Sequence, residues 1–249
     1  MRRRVVGTDV DKLNPMKALL AALSDDLALP FLQIKSSLEV LDEDNFSKKS
    51  TLSSKEQIIL SIENGLHLIE AYKLTLRINS DVDSMTFEPV AIGAVLQDVA
   101  HELTPYAKKY ATDLQVDVSG RLTPVLTHQA SLQTAIQILS ASLIRAQAAQ
   151  VQQKRYKLLL GAHRSSESVI STGVFSSIEG LSDKTLRNAR LLVGRARQPL
   201  PSMPAGAASG VLIADMLCSS MWQPLRAAAH GGLHGIATAI PVSKQLQFV

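Results

Sequence analysis

One cysteine, Cys218, stands in 249 residues. A lone thiol closes no internal disulfide and assembles no cysteine-lined metal site, which fits a reducing, cytoplasmic setting. It lies in LIADMLCSSM and reads as a small core side chain. Aromatic residues make up only 4% of the chain, which suits helices rich in Leu, Ala and Ile better than a β-sandwich. No apolar run approaches the roughly 20 residues that a membrane helix needs. The opening MRRRVV is basic but has no sustained apolar stretch behind it, so no signal peptide is expected. Charge of one sign is not dominant either, and the net charge is +4. It is unevenly placed: residues 1–85 carry 11 basic and 13 acidic side chains, and residues 86–249 carry 15 and 9. A basic half suits nucleotide, nucleic acid or an acidic partner. An ordinary solvated surface is the plainer reading, and no nucleic-acid recognition motif supports the other.

The chain is 46% hydrophobic and 19% charged, enough to bury a core. Asn14 and Pro15 make a helix start, with Asn as N-cap and Pro at the first helical position. Met16, Leu20, Leu23, Leu27, Phe31, Ile34, Leu38 and Leu41 then recur at steps of three or four, up to the acidic stop at Asp42. A polar break follows. A second helix is predicted after Ser53 or Ser54 as cap, with Ile59, Ile62, Leu66, Ile69 and Leu76 as its seam and Tyr72 or Lys73 filling one step. Two antiparallel helices cannot bury both stripes alone, but two copies packed as a four-helix bundle can. Residues 10–80 therefore read as a helical-hairpin dimerisation domain.

From Phe87 the texture changes. Helices are predicted over 91–110, 129–150 and 183–193, with another ending at Met221. Strands are predicted at 114–118, 156–161, 168–175 and 233–242. Such mixed alternation implies an α+β chain whose second part, residues 86–249, is a two-layer α/β sandwich with a mixed sheet. No internal repeat is present.

The stretch LSDDLALPFLQIKSSLEVL, residues 23–41, places Pro30 inside a helix. A proline there removes a backbone hydrogen bond and clashes with the preceding turn, at about 3 kcal/mol or more. It frees the carbonyl of Asp26, and the expectation is a bend with Asp25 and Asp26 exposed beside it.

These residues resemble the H-box of sensor histidine kinases, of the form S-H-E-L-R-T-P-L. Ser24, Asp26, Leu27, Pro30 and Phe31 keep the pattern, and the phosphoacceptor histidine falls on Asp25. The resemblance continues. The run FEPVAIGAVLQ from Phe87 is similar to the opening of the kinase ATP-binding domain. LQTAIQILSASL from Leu132 resembles the N-box, L-x-x-x-L-x-N-L-L-x-N-A, with the two asparagines on Gln137 and Ala141. VFSSIEGL from Val174 resembles the first glycine box, V-x-D-x-G-x-G-I. There the adenine-reading aspartate falls on Ser176 and the first glycine on Ile178, and Gly180 matches. GAASGVLI from Gly206 resembles the second box, keeping Gly206 and Gly210 with Ala208 between them. GLHGIATAIPVS resembles the final strands.

The resemblance implies a dimerisation and phosphotransfer hairpin followed by an ATP-binding domain, both degenerate. In the family the second N-box asparagine holds magnesium, and alanine offers no oxygen ligand. Aspartate cannot form the phosphoramidate that imidazole forms. Losing a charge-assisted hydrogen bond to adenine costs about 1.5–3 kcal/mol. No ATP, magnesium or other cofactor is therefore expected, and no residue is assigned to catalysis. The implied function is a pseudokinase of two-component signalling, a homodimeric scaffold docking a response regulator or another kinase. The alternative is a divergent ATP-binding phosphotransferase with a non-standard acceptor.

Other histidines have plainer readings. His101 in HELTP lacks one residue of the H-box and faces outward from its helix. His67 flanks the seam of the second helix. His230 and His234 are separated by Gly231 and Gly232, which argues against a helix aiming both at one metal. Arg187, Arg190, Arg195 and Arg197 read as the solvated remnant of the family's ATP lid.

Overall fold

The computed structural model describes residues 15–42, 48–80, 85–148, 156–177, 186 and 208–244, without the side chains of 15–22, 25, 42, 48–53, 79–80, 147–148 and 208–209. Two long helices open the chain, α1 (Pro15–Asp42) and α2 (Lys48–Ser80). The rest alternates: β1 (Glu88–Val90), α3 (Ile92–Lys109), β2 (Thr112–Ser119), β3 (Val125–Thr127), α4 (Gln129–Ala148), β4 (Tyr156–Ser166), β5 (Val169–Ser176), α5 (Ala208–Ser220), β6 (Arg226–His230) and β7 (Leu233–Pro241). The chain is thus α+β, a helical hairpin followed by helices on a mixed sheet. Among the described residues no helix is long and apolar enough to cross a membrane.

α1 and α2 run antiparallel, since Asp26 meets Tyr72 while Gln33 meets Ser61. α1 begins at Pro15 as expected and continues through Pro30 without interruption. Asn14 lies outside the described residues. α2 starts at Lys48, five residues before Ser53. Ser54 is buried within the helix and does not cap it.

The buried stripe of α2 also differs from the expected seam. Ser54, Ser61, Leu68, Tyr72 and Thr75 are buried, with Gly65 between them, whereas Ile59, Ile62 and Leu66 are 56%, 45% and 53% exposed. On α1, Phe31 and Leu38 are exposed as well. Between the helices Pro30 meets Gly65, Gln33 meets Ser61 and Asp26 meets Tyr72, with Leu27, Ile34 and Ile69 beside them. Their larger aliphatic stripes are left open.

The five-stranded sheet has the order β2-β4-β5-β7-β6, with β2 parallel to β4 and the other pairs antiparallel. β1 and β3 form a separate antiparallel pair. The sequence foretold β2, β4, β5 and β7, though β4 continues past Gly161 to Ser166. The helix expected at 183–193 lies outside the described residues except for Leu186, which is buried.

Alternate residues of the strands serve the two faces. Leu158, Leu160, Ile170, Val174, Ile236 and Ile240 point to the main core, built with α3, α4, α5 and the C-terminal half of α2. Leu159, Phe175 and Ala237 form a smaller cluster on the outer face. The β6–β7 hairpin closes at Gly231 and Gly232, both with positive φ (56° and 75°), the backbone that a two-residue hairpin turn requires. Cys218 is fully buried beside Asp215, and burial pushes its thiol far above the usual range, so it is an inert core side chain as expected.

Candidate functional site

The residues that resemble the H-box lie on α1. The side chain of Asp25 is outside the described residues. Asp26 is not exposed at a bend as expected. It is half-buried and turned toward α2, where the buried Tyr72 hydroxyl donates to its Oδ2 at 3.0 Å. Pro30 is buried too. Its Cβ lies 3.7 Å from where a Cβ on Gly65 would be. That is ordinary van der Waals separation, so Pro30 packs against α2 at Gly65 without crowding. Beside this contact a shallow apolar groove of about 110 Å³ opens between the helices, lined by Leu27, Phe31, Ile34, Ile62 and Leu66 among others.

The second location lies where α4 meets α2, α3 and α5. Gln137 sits on the side of α4 that faces the hairpin. Its Nε2 donates to Glu102 Oε2 on α3 at 2.9 Å and lies 3.2 Å from His67 Nδ1 on α2. Ala141, one turn on, is buried on the same side. The space in front of them is lined by His67, Leu68, Ala71 and Leu103 and amounts to about 20 Å³, room for about one water. Ala141 supplies no oxygen to a cation, and this space is far below the 300–1,000 Å³ or so of a typical ligand pocket.

The adjoining side of α4 meets α5 at closest range. A Cβ built on Gly210 would lie 1.8 Å from Ser142 Oγ and 3.0 Å from the Ile138 carbonyl oxygen. Arg145, one turn beyond, is buried and donates from Nη2 to Ser142 Oγ at 3.2 Å, while its Nε has no partner among the described residues. Counting the N-box pattern from Leu132, with Ile136 as its second apolar residue, puts the second asparagine on Ser142. The sequence reading passed over Ser142 and Arg145 for want of that one-residue shift. Ser176 is buried at the end of β5, in register with Leu158 and His234. Gly180, Gly206 and the four lid arginines lie outside the described residues.

The remaining histidines fall apart from both locations. His101 is exposed on α3 as expected, and His234 is exposed on β7. His128 precedes α4 and caps it: the Ser131 backbone N–H donates to its Nδ1 at 3.3 Å. Desolvation, aided by Arg77, holds this imidazole below its ordinary pKa, with Glu88 opposing. His230 and His234 do not share a site, and among the described residues no group of three metal-ligating side chains occurs.

No protein-family model and no curated protein sequence matches the chain. Solved structures do. Full-length ShkA in complex with AMPPNP aligns over 92% of this chain and 46% of its own, at 16% identity and a TM-score of 0.52. The histidine kinase ThkA, in complex with the response regulator protein TrrA, aligns over 90% of this chain and 61% of its own, at 11% identity and a TM-score of 0.51. The chain therefore has the fold of a histidine kinase core, and it spans about half the length of these structures.

Proposed function

We propose that the protein is a histidine-kinase-like pseudoenzyme of two-component signalling, a dimeric scaffold that docks a response regulator or another kinase without ATP-dependent autophosphorylation. Residues 10–80 would be its dimerisation unit and residues 86–249 a degenerate ATP-binding-like unit. The observation that carries this reading is the pairing of a histidine-kinase-core fold with Asp25 at the acceptor position. An aspartate has no imidazole nitrogen to phosphorylate. The open aliphatic stripes of α1 and α2 support the dimer, because side chains such as Phe31 and Ile62 are covered when two hairpins combine into four helices. The close seating of Gly210 on Ser142, which takes the second N-box position when the pattern is counted from Leu132, counts against a metal-bound triphosphate beside α4. Asp25 then serves as an acidic side chain near a docking face, beside Asp26, which is held by Tyr72.

The test is Asp25→His with labelled ATP and magnesium. Restoring the imidazole alone leaves the variant unlabelled, because the defect lies at both locations. Label on the introduced imidazole contradicts the reading. One observation favours the alternative, a divergent ATP-dependent phosphotransferase: the buried guanidinium of Arg145 has no partner for its Nε among the described residues, and such a group suits phosphate oxygens. Label on the unmodified chain would select it.

A further inference from the structure

The outer face of the sheet carries a linked group of side chains that neither location uses. The β6–β7 hairpin tip curls across this face and brings His230 over β4 and β2. His230 is buried there, with its ring 5.2 Å from that of Phe175. Its Nε2 lies 3.0 Å from Asp117 Oδ2 on β2, and its Nδ1 lies 3.0 Å from His163 Nδ1 on β4. Gly161 makes the arrangement possible, since a Cβ there would come within 2.5 Å of His230 Cδ2.

The contacts fix the protons. A carboxylate only accepts, so His230 carries its proton on Nε2 and donates it to Asp117. Its Nδ1 is then a lone pair and accepts the Nδ1 proton of His163. The two imidazole rings are 10° from parallel with centroids 5.0 Å apart, and their Nδ1 atoms are within hydrogen-bond distance at 3.0 Å. That is the geometry of a shared proton. A metal ion between them would need nitrogens well separated, at about 2.0–2.1 Å each from the ion. His163 is left with an unprotonated Nε2, and its side chain is half-exposed. Burial and the neighbouring His230 lower the His163 pKa, which favours the neutral ring.

We propose that Asp117, His230 and His163 form a proton relay that makes Nε2 of His163 a nucleophile, and that it takes the phosphoryl group of an acyl phosphate. The order is carboxylate, orienting imidazole, nucleophile, with an imidazole in the last place. Nε2 forms the N–P bond as the P–O bond breaks, and the carboxylate leaves with that electron pair. The Nδ1 proton moves to His230, whose imidazolium rests against Asp117. The relay removes a proton and supplies none, so the leaving group must depart unprotonated, as a carboxylate does. Attack at phosphorus is favoured over attack at the acyl carbon. His163 lies in a strand paired on both sides, through Ser119 and Ser171. The Ser119 and Ser171 hydroxyls flank it in register and can donate to phosphoryl oxygens.

This inference does not rest on the scaffold reading, because it needs no ATP. The full chain is incubated with acetyl phosphate, and in a second arm with a receiver domain phosphorylated on its aspartate. Adducts are then located by mass spectrometry. The expected result is an acid-labile phosphoryl group on His163, formed about 10²-fold faster than on the exposed His101 and His234. Reaction with acetyl phosphate identifies a small donor, and reaction with the receiver domain alone identifies a protein donor. Asp117→Asn keeps the fold, since Asp117 is half-exposed, and it brings the His163 rate down toward that of His101 with a shifted pH profile. Gly161→Ala, which displaces His230, does the same. Adducts spread evenly over the exposed histidines, an acetyl adduct in their place, no adduct in either arm, or an Asp117→Asn variant with unchanged rate and pH profile would each overturn it.

Discussion

Replacing Gly210 by alanine sets two effects of opposite sign against each other. Gly210 lies within α5, where alanine is favoured over glycine by about 1 kcal/mol. The new methyl, however, would sit 1.8 Å from Ser142 Oγ, 2.5 Å from Ser142 Cβ and 3.0 Å from the Ile138 carbonyl oxygen. The hydroxyl can rotate away, but the Cβ and the carbonyl belong to α4 and cannot, so α5 must back off as a unit. Overpacking of this kind costs about 1–3 kcal/mol, and two immovable neighbours place it near the upper end. The net loss is about 2 kcal/mol, and in a chain of this length about 1 kcal/mol corresponds to about 2–4 °C. A fall in Tm of about 4–8 °C is expected by circular dichroism or calorimetry. Ser142→Gly removes two of the three contacts, so the double variant loses less than the two single variants added together, with a coupling of at least about 1 kcal/mol. A Tm that rises in Gly210→Ala, as helix propensity alone dictates, would refute the close seating of α5 on α4.

Other expectations follow from the hairpin and the histidines. Phe31→Asp and Ile62→Asp place a charge in the open stripe and turn the proposed dimer into monomers by analytical ultracentrifugation, with the circular dichroism spectrum unchanged. Tyr72→Phe deletes the hydroxyl that meets Asp26 and costs about 1–2 kcal/mol in urea denaturation, less than a fully buried charged bond because Asp26 is half-exposed to water. Stability falls on acidification. His128 and His163 both have lowered pKa values in the folded chain, so below the ordinary histidine value of about 6.5 the unfolded chain takes up protons that the folded chain resists. Their contribution is complete above that pH and is lost as pH falls through the folded values. The urea midpoint at pH 5.5 is therefore lower than at pH 7.5, and His128→Asn, which keeps a capping side chain, reduces the difference.

Periodicity made the helices and the long strands legible, because Leu, Ile and Val recur at 3.6 or 2 residues over whole elements. It marked the aliphatic stripe of α2 and not the residues that this helix buries within one chain. The aliphatic residues Ile59, Ile62 and Leu66 are the more conspicuous pattern, whereas Ser61, Gly65 and Tyr72 meet Gln33, Pro30 and Asp26 of α1. Asp26 was misplaced for the same reason: its partner Tyr72 lies 46 residues away, and no local pattern announces it. The strand β6 escaped notice because RAAAH carries no β-branched or large aromatic residue to mark a strand. The group of Asp117, His163 and His230 comes from three strands and is assembled only when the β6–β7 tip curls over the sheet, so no spacing in the chain could reveal it. Gly161, inside a strand and adjacent to no turn, was the one local sign of a close approach.

Titration of the full-length chain with ATP and magnesium by isothermal calorimetry bears most directly on the proposed loss of kinase chemistry. The account predicts no saturable heat and no magnesium-dependent rise in Tm at millimolar nucleotide. A saturable, magnesium-dependent isotherm with micromolar Kd, abolished by substitution of Arg145, would contradict it.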